Sequence, residues 1–143
     1  MRSTSLAVFV LSTMSALMLA AAPAGAADLK IAVTGVSSAD GTIMVALYNS
    51  AESFQQKPFR TTAAQAVAGT TQIEFKDLPA GDYAFSLYHD ANGNGKMDAN
   101  LVGIPTEDYA FSNNAMGKFG PPKYEAARFA LPADGAVQSV SLR

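Results

Sequence analysis

The clear apolar patterns in this chain repeat with a period of two, and none repeats with the 3.6-residue period of a long helix. Leu29, Ile31 and Val33 alternate with polar or small residues, as do Ile43, Val45 and Leu47, then Ile73 and Phe75, then Tyr83, Phe85 and Leu87. The segments 126–131 and 136–142 read as further strands, and the Ala- and Thr-rich stretch 60–68 as an edge strand. Turn residues punctuate them at Ala39-Asp40-Gly41, at 78–82 and at Pro132-Ala133-Asp134-Gly135. The first of these turns predicts a hairpin between 29–36 and 42–48. Ser50 is placed to cap one helical turn over 51–55, stopped by Pro58. The pattern predicts an all-β protein, a single antiparallel β-sandwich of Ig-like or prealbumin-like type with about seven strands and one long ordered loop.

The stretch before residue 27 has a different character. Arg2, the apolar run 6–22 and the small residues Ala24-Gly25-Ala26 match the three parts of a secretory signal peptide. The expectation is a leader at 1–26, cut before Ala27, and one domain at 27–143 that is periplasmic or secreted and has no membrane span. The chain has no cysteine. That excludes disulfides, thiolate chemistry, cysteine-ligated zinc and a lipoprotein anchor. The chain after the leader is long enough to bury a working core, and small exported domains without disulfides often add a metal ion as a further source of stability. With acidic residues in slight excess and no basic cluster after the leader, nucleic acid is not an expected partner.

One segment, 90–125, fits no strand pattern and is too long for a bare connection. It begins DANGNGKMD. With Asp90 as position one, Asn92, Asn94, Lys96 and Asp98 fall at positions three, five, seven and nine, and Gly95 at six, which is calcium-loop spacing. Oxygens on alternate residues converge on a hard cation where glycine allows a sharp turn, with Lys96 giving only its carbonyl. Position twelve is Leu101 instead of a bidentate Glu, and a strand enters the loop where an EF-hand has a helix. Glu107 and Asp108 are the nearest substitute carboxylates, and His89 borders the site. With two loop carboxylates, calcium binding is expected to be weak, about 10⁻⁴ to 10⁻³ M. The same residues also make an ion-free Asx turn.

Other constellations are thinner. His89 is the only histidine, so a hydrolase would have to use it or Glu107; Ser112 is the one plausible hydroxyl partner, and no nucleophile elbow surrounds it. His89 with Met97 and Met116 offers soft-metal ligands without a supporting spacing. Tyr109, Phe111, Phe119 and Tyr124, with Asn113 and Asn114, either stack on a sugar or peptide or cover an open end of the core.

The run from Tyr88 to Leu131 resembles the signature region of an exported bacterial family, the domain of unknown function 2141. The resemblance rests on HDANGNGKMD, GIPTE at 103–107, FSNNA at 111–115, and GPP at 120–122 ahead of AARFAL. It implies an exported β-sandwich-like domain and supplies no established activity. Ala110 stands where a glycine is expected between the aromatic residue and FSN. The stretch 78–95 is also similar, more weakly, to transthyretin-like and surface-protein sandwich modules. The function expected is a non-enzymatic exported module, calcium-stabilised, that binds a protein or glycan of the cell envelope through 90–125. The alternatives are a cell-envelope hydrolase and a small-ligand carrier.

Overall fold

The computed structural model describes residues 25–143; the expected leader lies almost wholly outside the described residues. Eight strands are present among them: β1 (Ala26–Val36), β2 (Thr42–Tyr48), β3 (Arg60–Gln65), β4 (Gly69–Pro79), β5 (Gly81–Asp90), β6 (Tyr109–Phe111), β7 (Phe129–Leu131) and β8 (Ala136–Ser141). A 3-10 turn (Ser112–Asn114) and one helical turn, α1 (Tyr124–Ala127), complete the set. The protein is all-β, with two open sheets. One has the order β4-β1-β8 and the other β3-β2-β5-β6, with β7 also paired to β5.

The alternating residues do what their period requires. Leu29, Ile31 and Val33 from the first sheet and Ile43, Val45, Leu47, Phe85 and Leu87 from the second belong to one buried cluster. Burying each such side chain stabilises the fold by about 1.5–3 kcal/mol. Phe85, Leu29, Ile31, Ile43 and Leu47 are fully enclosed, so the interior that the two sheets share is filled with side chains.

Three expectations are corrected. β1 and β2 do not form a hairpin: β1 pairs with β4 and β8, and β2 with β3 and β5. Alternation marks which face of a strand is apolar but not which strand lies beside it, and these two apolar faces meet through the core instead of sharing a sheet. The sheets are not purely antiparallel, because β8 runs parallel to β1, from Leu29 opposite Ala136 to Thr34 opposite Ser141. Parallel neighbours need a long crossover, and here nearly the whole chain supplies it. The strand expected at 126–131 is split: α1 takes Ala126 and Ala127, and only Phe129–Leu131 is extended. Tyr124 and Ala127, three apart on α1, both turn onto an apolar cluster, which a strand could not arrange.

That second cluster lies on the outer face of the second sheet. Tyr48 pairs with Ala84 and Phe111 with Ser86, positions that alternate with the core residues Leu47, Phe85 and Ala110. Phe54 packs edge-on against Tyr48, with ring centroids 5.2 Å apart, and against Tyr124 at 5.8 Å. The segment carrying Phe54 is the turn Ser50 was expected to cap, and Ser50 Oγ accepts the Ser53 N–H at 3.2 Å. The aromatic residues Phe111, Tyr109 and Tyr124 thus cover a sheet face, not an end of the core, while Phe119 is fully exposed. Ala110 is buried strand backbone opposite Leu87, so no glycine conformation is needed there.

Candidate metal loop

β5 ends at Asp90, which pairs with Thr42 of β2 and is buried. Its carboxylate organises the loop that follows. Oδ1 accepts the Asn94 N–H at 3.0 Å and Oδ2 accepts the Gly95 N–H at 2.8 Å. Gly95 has a φ of 75°, in the left-handed region that glycine enters without strain. Asn92 Oδ1 also accepts the Asn94 N–H, at 3.1 Å, and Asn94 Oδ1 accepts the Lys96 N–H at 2.9 Å. These are consecutive Asx turns, each using one lone pair of a side-chain oxygen and leaving another.

Asp98 closes the loop. Its carboxylate accepts Asn92 Nδ2 at 2.6 Å and Asn94 Nδ2 at 2.9 Å, and the Asn94 and Asn92 bonds hold its pKa below the ordinary 3.8. The Asp98 N–H donates to Glu107 Oε2 at 3.0 Å. The other oxygen, Glu107 Oε1, is shut away from solvent and has no hydrogen-bond partner. A buried, unbonded carboxylate oxygen is costly unless something positive faces it. Tyr88 registers the same charge: burial raises its pKa first, followed by the negative charges of Asp90, Glu107 and Asp98.

The expected residues thus divide. Asp90, Asn92, Asn94 and Asp98 share one hydrogen-bonded loop, Lys96 joins it through its backbone, and Glu107 is brought to it from nine residues beyond Asp98. Asp108 contributes a carbonyl that accepts the His89 N–H at 2.9 Å. His89 continues the inward face of β5, is buried, and its Nε2 donates to the Asp40 carbonyl at 2.7 Å. Ser112 is fully buried and bonded to backbone: its Oγ accepts the Phe85 N–H at 3.0 Å and donates to the Ala127 carbonyl at 2.6 Å. Met97 and Met116 are exposed, whereas His89 is not.

No group of three or more His, Asp or Glu side chains is gathered tightly enough to hold a metal ion among the described residues. The Asn92 and Asn94 side-chain amides donate to the Asp98 carboxylate, so these oxygens are engaged within the loop. Two residues of the site carry no sequence signal of the loop motif: Tyr88, beside the carboxylates, and Gly41, which packs on the Asp90 carbonyl.

The fold and the loop define a class: an all-β domain whose long connection is organised by an Asp- and Asn-rich turn. The chain belongs to the family DUF2141, described as an uncharacterized protein conserved in bacteria, whose model matches residues 31–139. The match runs from within β1 to within β8 and includes the whole loop segment. No curated protein and no solved structure matches the chain.

Proposed function

We propose that this protein is an exported, non-enzymatic β-sandwich module of Ig-like or prealbumin-like type, stabilised by calcium at the Asp90 loop. Its 90–125 segment presents a surface to a protein or glycan of the cell envelope. The observation that carries the calcium reading is Glu107 Oε1, buried without a partner beside Asp98. Glu107 supplies the carboxylate missing at position twelve, where Leu101 stands. A cation would turn the Asn92 and Asn94 oxygens inward, replace their amide bonds to Asp98, and meet the lone Glu107 oxygen. It would also tie the long segment to β5 in a chain with no disulfide to do so.

The burial of His89 on a backbone carbonyl and the full use of Ser112 by backbone partners favour a non-enzymatic role over a hydrolase. The filled interior favours a surface binder over a carrier with a cavity between the sheets.

Calorimetric titration with calcium, alongside thermal melting, tests this reading. The expected result is heat of binding and a higher melting temperature in millimolar calcium, both reduced strongly in Glu107→Gln and Asp90→Ala. Glu107→Gln keeps the acceptor for the Asp98 N–H, so its fold should persist if that of Asp90→Ala does not. Absence of heat and of any melting shift in the unaltered protein would refute the calcium site.

A further inference from the structure

The hairpin that leaves the loop ends in an apolar tip. Ala99 and Pro105 form a bridge, the Thr106 N–H donates to the Asp98 carbonyl at 2.9 Å, and the Asn100 N–H donates to the Ile104 carbonyl at 2.9 Å. Residues 98–106 are therefore two short arms, with Asp98 and Glu107 at their base. At the tip Leu101 is fully exposed, Val102 is 79% exposed and Ile104 59%. Single exposed aliphatic residues are ordinary, but three on one four-residue tip make a patch that needs an occupant.

The backbone of the tip is already bonded internally. Asn100 Oδ1 accepts the Val102 N–H at 3.1 Å and the Ile104 N–H at 3.0 Å, and the Asn100 carbonyl accepts the Gly103 N–H at 2.9 Å. With the Asn100 N–H on Ile104, a tip carrying only aliphatic side chains has spent most of its amide donors on itself. Amide donors satisfied within the tip lower the cost of moving it out of water.

The shape and chemistry select the occupant. The tip is a projection far smaller than the roughly 800 Å² per partner of a stable protein interface. It has none of the Trp, Tyr or Arg anchors on which such interfaces depend, and its side chains are of the kind that partitions into hydrocarbon. The exposed Lys96 at the base suits anionic headgroups, but Asp90, Asp98 and Glu107 beside it repel them. We propose that the 101–104 tip is a membrane-surface anchor, inserted shallowly into an anionic lipid surface, and that calcium in the adjoining loop permits its approach by neutralising those carboxylates. The calcium dependence rests on the reading above; the lipid contact rests on the tip alone.

The test is co-sedimentation of the protein, purified from the exported fraction, with vesicles of phosphatidylcholine alone and of phosphatidylcholine mixed equally with phosphatidylglycerol. Each is run with and without millimolar calcium. The expected result is calcium-enhanced binding to the anionic vesicles, reduced about tenfold or more in the double variant Leu101→Ser, Val102→Ser. Its melting temperature should not change, because these side chains touch little else. The chain has no tryptophan, so Leu101→Trp gives a single reporter. Its emission should shift to the blue on vesicles and be quenched by lipids brominated on their acyl chains. Equal binding by the double variant, or a tryptophan that stays in water, overturns the proposal. So does a dimer in solution that the double variant abolishes, which would assign the tip to a second copy. Tip-dependent binding that ignores calcium, with no heat of calcium binding, removes the calcium reading and leaves the lipid anchor standing. Calcium heat without any vesicle binding does the reverse.

Discussion

Gly41 lies directly against the carbonyl oxygen of Asp90, so the bend between the two sheets rests on the first residue of the candidate metal loop. A Cβ at position 41 would run into that oxygen and into the backbone of Ala91, and the φ of 65° disfavours any other residue. Neither obstacle is the end of a flexible side chain that could move aside. Gly41→Ala should therefore cost about 2 kcal/mol or more. Urea denaturation against Gly69→Ala, where φ is also positive but the space is open, separates collision from backbone strain. Equal losses in the two variants would show that the packing on Asp90 does not matter.

Tyr88 should report calcium without a label. Its pKa is raised, first by burial and then by Asp90, Glu107 and Asp98. A cation among those carboxylates removes the part owed to charge and leaves the part owed to burial, so saturating calcium should lower the pKa toward, but not to, the ordinary tyrosine value. The difference in phenolate absorbance between the protein and Tyr88→Phe, titrated with and without calcium, measures it. A calcium-independent titration would place the cation elsewhere.

Acid should loosen the loop before it unfolds the sheets. The folded pKa of Asp98 lies below its ordinary 3.8, chiefly through Asn94 and then Asn92. The stabilisation is thus fully present above that ordinary value and disappears as pH falls through the depressed one. Because the group is exposed the effect is small, and Asp98→Asn should lower the neutral plateau of the melting-temperature profile slightly and flatten its acid end, so that the two proteins converge at low pH. Amide exchange at Asn94 and Lys96 should quicken over the same pH window.

Much of this arrangement is legible from residue types and spacing. The alternation through Tyr83, Phe85, Leu87 and His89 predicts the inward face of β5, and DANGNGKMD predicts a loop organised by Asp90. Neighbours are harder to read. Nothing in 29–36 or 42–48 says that these strands enter different sheets, and nothing in 136–142 says that β8 runs parallel to β1, because pairing partners and direction depend on contacts a hundred residues apart. In the sequence Glu107 is only the next carboxylate along; its lone, enclosed Oε1 follows from the Ala99–Pro105 hairpin folding back. Ser112 lacks a nucleophile elbow in the sequence, but its structural role is not legible there either, since its backbone partners Phe85 and Ala127 lie 27 and 15 residues away.

Ser112 fills a gap between two edge strands. β6 covers β5 from Ser86 to Tyr88 and β7 covers it from Gly81 to Tyr83, which leaves the Phe85 N–H facing neither. The Ser112 hydroxyl accepts that N–H at 3.0 Å and donates to the Ala127 carbonyl at 2.6 Å, joining β5 to the end of α1. In Ser112→Ala a buried donor and a buried acceptor both lose their partner, at a cost of about 2 kcal/mol. Ser112→Thr should not restore it, because the site is fully enclosed and has no room for a methyl group. Ser86→Ala, at a half-buried position whose side chain reaches only Tyr48 at 3.5 Å, should change stability by less than about 0.5 kcal/mol. Urea denaturation of the three variants checks the ordering, and the calcium heat of folded Ser112→Ala should be unchanged because none of its partners belongs to the loop. A Ser112→Ala variant as stable as the parent would mean that water or a shifted β6 takes over the Phe85 N–H, and the joint would then be dispensable.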